Sequence, residues 1–198
     1  MIKRFFAQFS NPHGFLGKIV GWVLVANNDK RNSLAVEKLE PKSDERILEI
    51  GFGPGVTIQK IFNKAEDIFV AGIDISDVML KQASNRNRKY INENKAVLKQ
   101  GSVESIPFEE NYFDKTIVIN VCHFFPDPVE NFKEIKRVLK PGGILLNVFQ
   151  PRMAKNIDDV LVRADKLKTQ VRDAGFANVE FEIIEMKPID CIFLKCVK

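Results

Sequence analysis

Apolar residues follow two alternating patterns along this chain. Short, mainly apolar runs, typical of buried parallel strands, occupy residues 47–50, 68–73 and 144–149, and residues 113–120 are also predicted to form a strand. Between several of these runs, apolar residues recur every three or four positions, which predicts helices over residues 56–62, 129–139 and 158–174. Strands alternating with helices predict an α/β fold with a mainly parallel sheet.

The C-terminal part departs from this alternation. Gly175 ends the last predicted helix, and residues 176–186 alternate around Val179, Phe181 and Ile183, as in a strand. A final strand is predicted over residues 190–197, after Pro188. Because no helix separates these two strands, they are expected to form a hairpin-like pair.

The most informative motif follows the first predicted strand and reads Glu49-x-Gly51-x-Gly53-x-Gly55. Glycines at alternate positions allow unusual backbone dihedrals and a close approach of the backbone to a ligand. A strand, a glycine turn and the start of a helix together predict a site for a nucleoside cofactor. The dinucleotide fingerprint needs its third glycine one residue later, where Val56 stands, and no Gly-Lys-Ser/Thr of a P-loop follows.

An acidic residue lies at the expected distance beyond this loop. Asp74 ends the second predicted strand, about twenty residues on, where a carboxylate can accept hydrogen bonds from both ribose hydroxyls. Ser76 or Asp77 can cap the helix that follows, while Val78 and Met79 can pack near the base. The alternative for Asp74 is a solvated strand end or a helix cap.

The glycine motif resembles the first motif of the class I S-adenosylmethionine-dependent methyltransferases. Residues 97–108 resemble that family's adenine-binding strand and loop, and residues 113–120 its fourth strand. The order of these pieces resembles the small bacterial methyltransferases, similar to the methyltransferase-11 and ubiquinone–menaquinone methyltransferase groups, which act on metabolites, lipids or quinones. The resemblance implies a Rossmann-like, doubly wound sheet of seven mostly parallel strands, with the last antiparallel, helices on both faces and an N-terminal helical extension.

The resemblance also implies S-adenosylmethionine as cofactor and a set of cofactor-binding residues. These are Glu49, Gly51, Phe52, Gly53, Gly55, Asp74, Ile75, Met79, Gly101, Ser102, Val103, Glu104, Asn120 and Val121. Ser102 is a departure, because many relatives carry an aspartate there that accepts a hydrogen bond from the adenine amino group. That contact is expected to weaken, to pass through water, or to pass to Glu104 or the Val103 N–H.

A general base is needed only where the methyl acceptor must lose a proton. His123, after the fourth strand, and His13, in the N-terminal turn, are the two candidates, and a structural role is the alternative for each. Residues 120–123 lack the Asn/Asp-Pro-Pro-aromatic motif of the enzymes that methylate amino groups of nucleobases, and no metal-ligand cluster is evident. Abundant phenylalanine favours a partly apolar small-molecule acceptor.

Composition sets the outer bounds. The chain has 198 residues, 45% hydrophobic and 28% charged, with a net charge of +4 and no long basic block, which disfavours a nucleic-acid partner. Cys122, Cys191 and Cys196 suggest neither a disulfide framework nor a zinc site, so a cytoplasmic location is expected. The alternative functions are a non-catalytic S-adenosylmethionine sensor, an NAD(P)-dependent oxidoreductase and an RNA methyltransferase. Residues 125–128 superficially resemble a tRNA methyltransferase motif, but Asp127 and Pro128 fit a helix start equally well.

The N-terminal segment has three competing interpretations. Residues 15–26 are apolar at helical spacing but too short for a membrane span of about 20 residues. They predict a helix packed on the core, a lid over the cofactor and substrate, or peripheral membrane contact aided by Lys3, Arg4, Lys18 and Trp22. We predict an extension over residues 1–35 and one globular domain over residues 36–198, with residues 27–32 capping a turn before a helix over 33–39; Asn28 or Asn32 contacting substrate is the alternative.

Overall fold

A computed structural model describes residues 29–198. Its six helices are α1 (residues 29–39), α2 (Val56–Phe62), α3 (Asp77–Arg86), α4 (Arg88–Asn92), α5 (Pro128–Val138) and α6 (Ile157–Asp173). Its seven strands are β1 (Arg46–Ile50), β2 (Phe69–Asp74), β3 (Ala96–Gln100), β4 (Phe113–Ile119), β5 (Leu139–Phe149), β6 (Ala177–Ile184) and β7 (Cys191–Val197). The strand order in the sheet is β3-β2-β1-β4-β5-β7-β6. The predicted seven-stranded α/β fold is therefore confirmed.

The chain divides into two compact units, an N-terminal unit that ends at Ser102 and a C-terminal unit of Val103–Lys198. In the N-terminal unit, β1 pairs with β2 and β2 with β3, all parallel. Its core is made of fully buried aliphatic side chains from β1, α2 and β2, among them Ile47, Leu48, Ile58, Ile61 and Ile73. Parallel pairing aligns the carboxyl ends of these strands, which places the loops after β1 and β2 next to each other.

In the C-terminal unit, β4 and β5 are parallel, and β7 lies antiparallel between β5 and β6. The predicted hairpin-like pair at the end of the chain is thus confirmed. Asp127 caps α5 by accepting a hydrogen bond from the Glu130 N–H at 3.2 Å, and Pro128 occupies its first turn. The motif at residues 125–128 is therefore explained by helix initiation.

Two boundaries differ from the prediction. Residues 29–32, predicted as part of a polar turn, form the start of α1, where the Lys60 Nζ lies 2.9 Å from the Asp29 carboxylate and 2.8 Å from the Ser33 hydroxyl. Residues 140–143, predicted only as a helix stop, lie within β5. The pairing of β4 with β5 is irregular at these residues. Phe113 pairs with Leu139 and Lys115 with Ile144, so β5 has extra residues between two nearly adjacent positions of β4, as in a β-bulge.

The predicted N-terminal extension lies largely outside the described residues. Its proposed end at residue 35 falls inside α1, and residues 15–26 are not covered, so the lid, packed-helix and membrane interpretations stay predictions. Within residues 29–198, no helix combines the length and apolar character that a bilayer crossing requires.

Candidate active site

The loop after β1 has a backbone that only glycine adopts readily. Gly51, Gly53 and Gly55 have φ values of 70°, 52° and 76°, all in the left-handed region. The Gly51 N–H donates to the Ile73 carbonyl at 2.8 Å, which ties the loop to the end of β2. The Gly55 N–H donates to the Phe52 carbonyl at 3.0 Å and closes the turn before α2.

These glycines serve two different purposes. A Cβ on Gly55 would lie 2.6 Å from the Asn87 Nδ2 and 2.8 Å from the Ala83 Cβ, so Gly55 is required for packing against α3. A Cβ on Gly53 would meet no protein atom within 4 Å. Gly53 therefore borders open space, where a ligand can approach the backbone closely.

Asp74 joins the two loops of the N-terminal unit. It is only 9% exposed, and its carboxylate accepts hydrogen bonds from the Gly53 N–H at 2.8 Å and the Ser76 N–H at 2.9 Å. Burial raises the pKa of Asp74, while these two backbone donors lower it. Since each carboxylate oxygen has a second lone pair, Asp74 can still accept hydrogen bonds from ligand hydroxyls.

Glu49 is a second buried acid, 2% exposed, near the end of β1. Burial raises its pKa well above the ordinary value; a hydrogen bond from the Thr57 side chain lowers it, and the charge of Asp74 raises it further. Its Oε2 atom has no hydrogen-bond partner within residues 29–198. A cationic group on a ligand could therefore act as the positively charged hydrogen-bond partner of this buried carboxylate.

The other predicted cofactor residues of this unit occupy varied environments. Met79 is 1% exposed and donates its N–H to the Ser76 Oγ at 3.3 Å, which confirms Ser76 as the cap of α3. Ile75 is 46% exposed, and the Gly101 N–H donates to the Asp74 carbonyl at 3.0 Å. The Phe52 ring is buried against Gly72, while its N–H donates to the Ile73 carbonyl at 3.4 Å and its carbonyl accepts from the Gly55 N–H at 3.0 Å.

Ser102 is half-buried at the end of the N-terminal unit, and the remaining predicted cofactor residues belong to the C-terminal unit. Val103 is buried and Glu104 exposed. Asn120, with a φ of 55°, donates its N–H to the Val148 carbonyl at 2.8 Å, and its Oδ1 accepts from the Gln150 N–H at 2.7 Å. Val121 is half-buried. Asn120 thus joins the carboxyl ends of β4 and β5.

His123 lies on a single 3-10 turn, Cys122–Phe124, directly after β4. Its ring is 3.9 Å from that of Phe124 and 5.2 Å from that of Phe149, centroid to centroid. Although part of its side chain is exposed, burial of the rest lowers the pKa of His123 to about 4. It is therefore neutral at physiological pH and a weak base. His13, the other predicted base, lies outside the described residues.

A family model described as "Methyltransferase domain" matches residues 48–147 of the chain, which include the glycine loop, Asp74 and the turn with His123. The chain belongs to the class I S-adenosylmethionine-dependent methyltransferases. This confirms the family that the sequence motifs indicated.

Individual relatives agree with this assignment. The methyltransferase is 31% identical to the uncharacterized methyltransferase YdaC of Bacillus subtilis, over 86% of this chain and 92% of that protein. It is 31% identical to the demethylmenaquinone methyltransferase of Corynebacterium kroppenstedtii, over 55% of this chain but only 43% of that enzyme's length. Its fold matches phosphoethanolamine N-methyltransferase 2 of Haemonchus contortus in complex with S-adenosyl-L-methionine, with a TM-score of 0.70, 18% identity, and coverage of 85% and 52% of the two chains.

S-adenosylmethionine is the cofactor, and the residues of the methyltransferase fit it. The Asp74 carboxylate has acceptor capacity for ribose hydroxyls, Gly53 leaves space for an approaching ligand, and Glu49 is a buried acid suited to a cationic amino-acid group. Ser102 offers a neutral hydroxyl where many relatives have a carboxylate. The assignment of individual residues to parts of the cofactor stays a prediction.

Several residues around these loops escaped the sequence-based prediction. Thr57 bonds to Glu49, and the Gln100 Nε2 donates to the Ile75 carbonyl at 3.0 Å, linking the ends of β3 and β2. In the C-terminal unit, the exposed large apolar side chains are Phe124, Met153, Ile157, Leu161 and Val162. An apolar letter in a sequence does not show whether the side chain is exposed, so no signal distinguished them beforehand.

Proposed function

We propose that this methyltransferase transfers the methyl group of S-adenosylmethionine to an apolar small molecule. The cofactor supplies a methyl group activated by the sulfonium to which it is attached. The observation that carries the proposal is the combination of a polar cofactor loop, in which Asp74 binds the Gly53 N–H, with exposed apolar side chains after β4 and β5.

In the N-terminal unit, Asp74, Gly53 and Glu49 each have a separate role in binding the cofactor. Asp74 holds the ribose through charge-assisted hydrogen bonds. Gly53 lets the backbone lie against the cofactor without an intervening side chain. Glu49 accepts a hydrogen bond from the cationic amino-acid end and compensates its charge. Orientation of the two reactants, rather than acid–base chemistry, is the main contribution that this set of groups can make.

Acceptor recognition is assigned to the C-terminal unit. Among the described residues, the large exposed apolar side chains are Ile75, Phe124, Met153, Ile157, Leu161 and Val162, and all but Ile75 belong to this unit. In the chain, Phe124 follows the carboxyl end of β4, and Met153 and Ile157 follow that of β5, the side of an α/β sheet where ligands bind. The similarity to a demethylmenaquinone methyltransferase supports an apolar acceptor.

Transfer of radioactive methyl from labelled S-adenosylmethionine to a panel of acceptors tests this function. The panel contains phenols, quinols, sterols and macrolides, with phosphoethanolamine and transfer RNA as hydrophilic counterparts. We expect label in the organic phase, and none with the Asp74→Ala variant at low cofactor concentration. Label found only in phosphoethanolamine or RNA would overturn the apolar acceptor, and label in no acceptor would favour a cofactor sensor.

The other functions considered for the sequence are not favoured. The match to a methyltransferase family and to methyltransferase relatives argues against a nicotinamide-dependent oxidoreductase and against a sensor without activity. We retain the cytoplasm as the proposed location, since Cys122, Cys191 and Cys196 are all buried and provide no disulfide framework.

A further inference from the structure

Three aromatic rings lie next to one another in the C-terminal unit, in the order Phe124, His123 and Phe149, with His123 stacked on Phe149 and tilted by 41° against Phe124. His123 contacts Phe124 on the same turn and is nearly parallel to Phe149, with an angle of 22° between the ring planes. Phe149 is the last residue of β5. The His123 and Phe124 side chains are both exposed, so part of the stack faces solvent.

The turn that carries His123 and Phe124 is anchored by buried neighbours. Cys122 and Phe125, which flank the two exposed residues, are 6% and 7% exposed. The Asn147 Nδ2 donates to the Cys122 Sγ at 3.5 Å, and the Phe125 ring packs edge-on against that of Phe132 at 5.5 Å. The Phe124 N–H also donates to the Val121 carbonyl at 2.8 Å. His123 and Phe124 are thus presented on a fixed support.

The exposed rings carry no charge at physiological pH. Phenyl rings are apolar, and the lowered pKa of His123 keeps its imidazole neutral. Neutral rings prefer to stack on other planar rings in offset or edge-on geometry, and such contacts contribute beyond the burial of apolar area. A saturated acceptor of equal size would gain only the burial.

We propose that the His123–Phe124–Phe149 stack binds the methyl acceptor by ring stacking, so that the methyltransferase selects acceptors with a planar aromatic ring. His123 contacts both Phe124 and Phe149 and holds their rings next to each other, so it acts as a positioning residue. This inference rests on the proposed methyl transfer to an apolar small molecule and narrows its substrate class.

Binding of two matched probes tests the inference. The protein is saturated with S-adenosylhomocysteine and titrated calorimetrically with 2-naphthol and with decahydro-2-naphthol, which have the same carbon skeleton and hydroxyl but differ in aromaticity. We expect 2-naphthol to bind about three- to tenfold more tightly. Phe124→Leu, which keeps an apolar side chain but removes a ring, should abolish most of that preference, with thermal unfolding as the check on folding.

Phe181→Leu is the matched control, because it makes the same Phe→Leu change on β6, at a half-buried ring that lies outside the His123–Phe124–Phe149 stack. It should leave the preference intact. Equal binding of the two probes to the wild type, or a preference that survives Phe124→Leu, would overturn the inference while S-adenosylhomocysteine still binds. Absence of S-adenosylhomocysteine binding to the wild type would instead refute the proposed function.

Discussion

The glycine loop of the N-terminal unit and the ring stack of the C-terminal unit both follow the carboxyl ends of parallel strands, yet they recognise ligands by different means. The loop presents backbone groups and two buried carboxylates, Glu49 and Asp74. The stack presents neutral rings partly exposed to solvent. The first arrangement depends on backbone conformation and the second on surface composition, so substitutions should affect the two regions independently.

The largest expected effect comes from Gly53→Val, compared with Gly142→Val in β5. Both glycines have positive φ, 52° and 77°, and a Cβ on either would meet no protein atom within 4 Å. Each variant should lose about 1–2 kcal/mol of stability because a left-handed conformation is imposed on valine. Only Gly53→Val should abolish binding of S-adenosylhomocysteine in calorimetry. Equal retention of binding by both variants would show that the ligand does not approach Gly53.

Asp74→Ala should produce the next largest effect. Loss of hydrogen bonds to a charged acceptor should weaken S-adenosylhomocysteine binding by about 1.5–3 kcal/mol. Binding of 2-naphthol, assigned to the other unit, should change little. Asp67→Ala is the control, because Asp67 is an exposed aspartate whose partner is Lys95 at 3.3 Å. Cofactor affinity in the Asp74 variant equal to that of the control would place the ribose elsewhere.

The same contrast explains how much of the molecule the sequence could predict. Glycine identities and the position of Asp74 are local signals of backbone conformation, so the loop, the strand and the helix cap at Ser76 were predictable. The reason for each glycine was not, since the contact of Gly55 with Asn87 depends on packing 32 residues away. The start of α1 was also missed. Its residues 29–32 are polar and were predicted to form a turn, and the ion pair of Asp29 with Lys60 of α2 is a long-range contact that the sequence does not show.

The ring stack was beyond prediction for a related reason. His123 was predicted as a base from its position after β4, but its low pKa comes from burial in the folded protein, and its ring contact, Phe149, lies 26 residues later on the neighbouring strand. The apolar side chains after β5 follow the same helical spacing as core residues. Leu161 is exposed although its neighbour in the chain, Val160, is buried, and only the folded structure shows this difference.

Glu49→Gln gives the smallest expected effect and tests the electrostatics of the loop through pH. The pKa of Glu49 is raised in the folded state, mainly by burial, so the folded protein holds this proton more tightly than the unfolded chain. Below the unfolded pKa of about 4.3, Glu49 is protonated in both states and costs nothing. As the pH rises from there through the raised pKa of the folded state, the cofactor-free wild type loses stability, because the unfolded chain ionises Glu49 more easily than the folded protein does. A glutamine does not ionise, so the Glu49→Gln variant keeps this stability. The free energy of unfolding of Glu49→Gln, measured in urea without cofactor, should therefore increase relative to that of the wild type between pH 4 and neutrality.

The control is Glu66→Gln, at an exposed glutamate, which should show no such increase. Identical pH profiles for Glu49→Gln and the wild type would contradict a raised pKa for the buried Glu49 carboxyl. With S-adenosylmethionine bound, the wild type should recover part of the difference, because the cationic cofactor stabilises the ionised Glu49 but not glutamine.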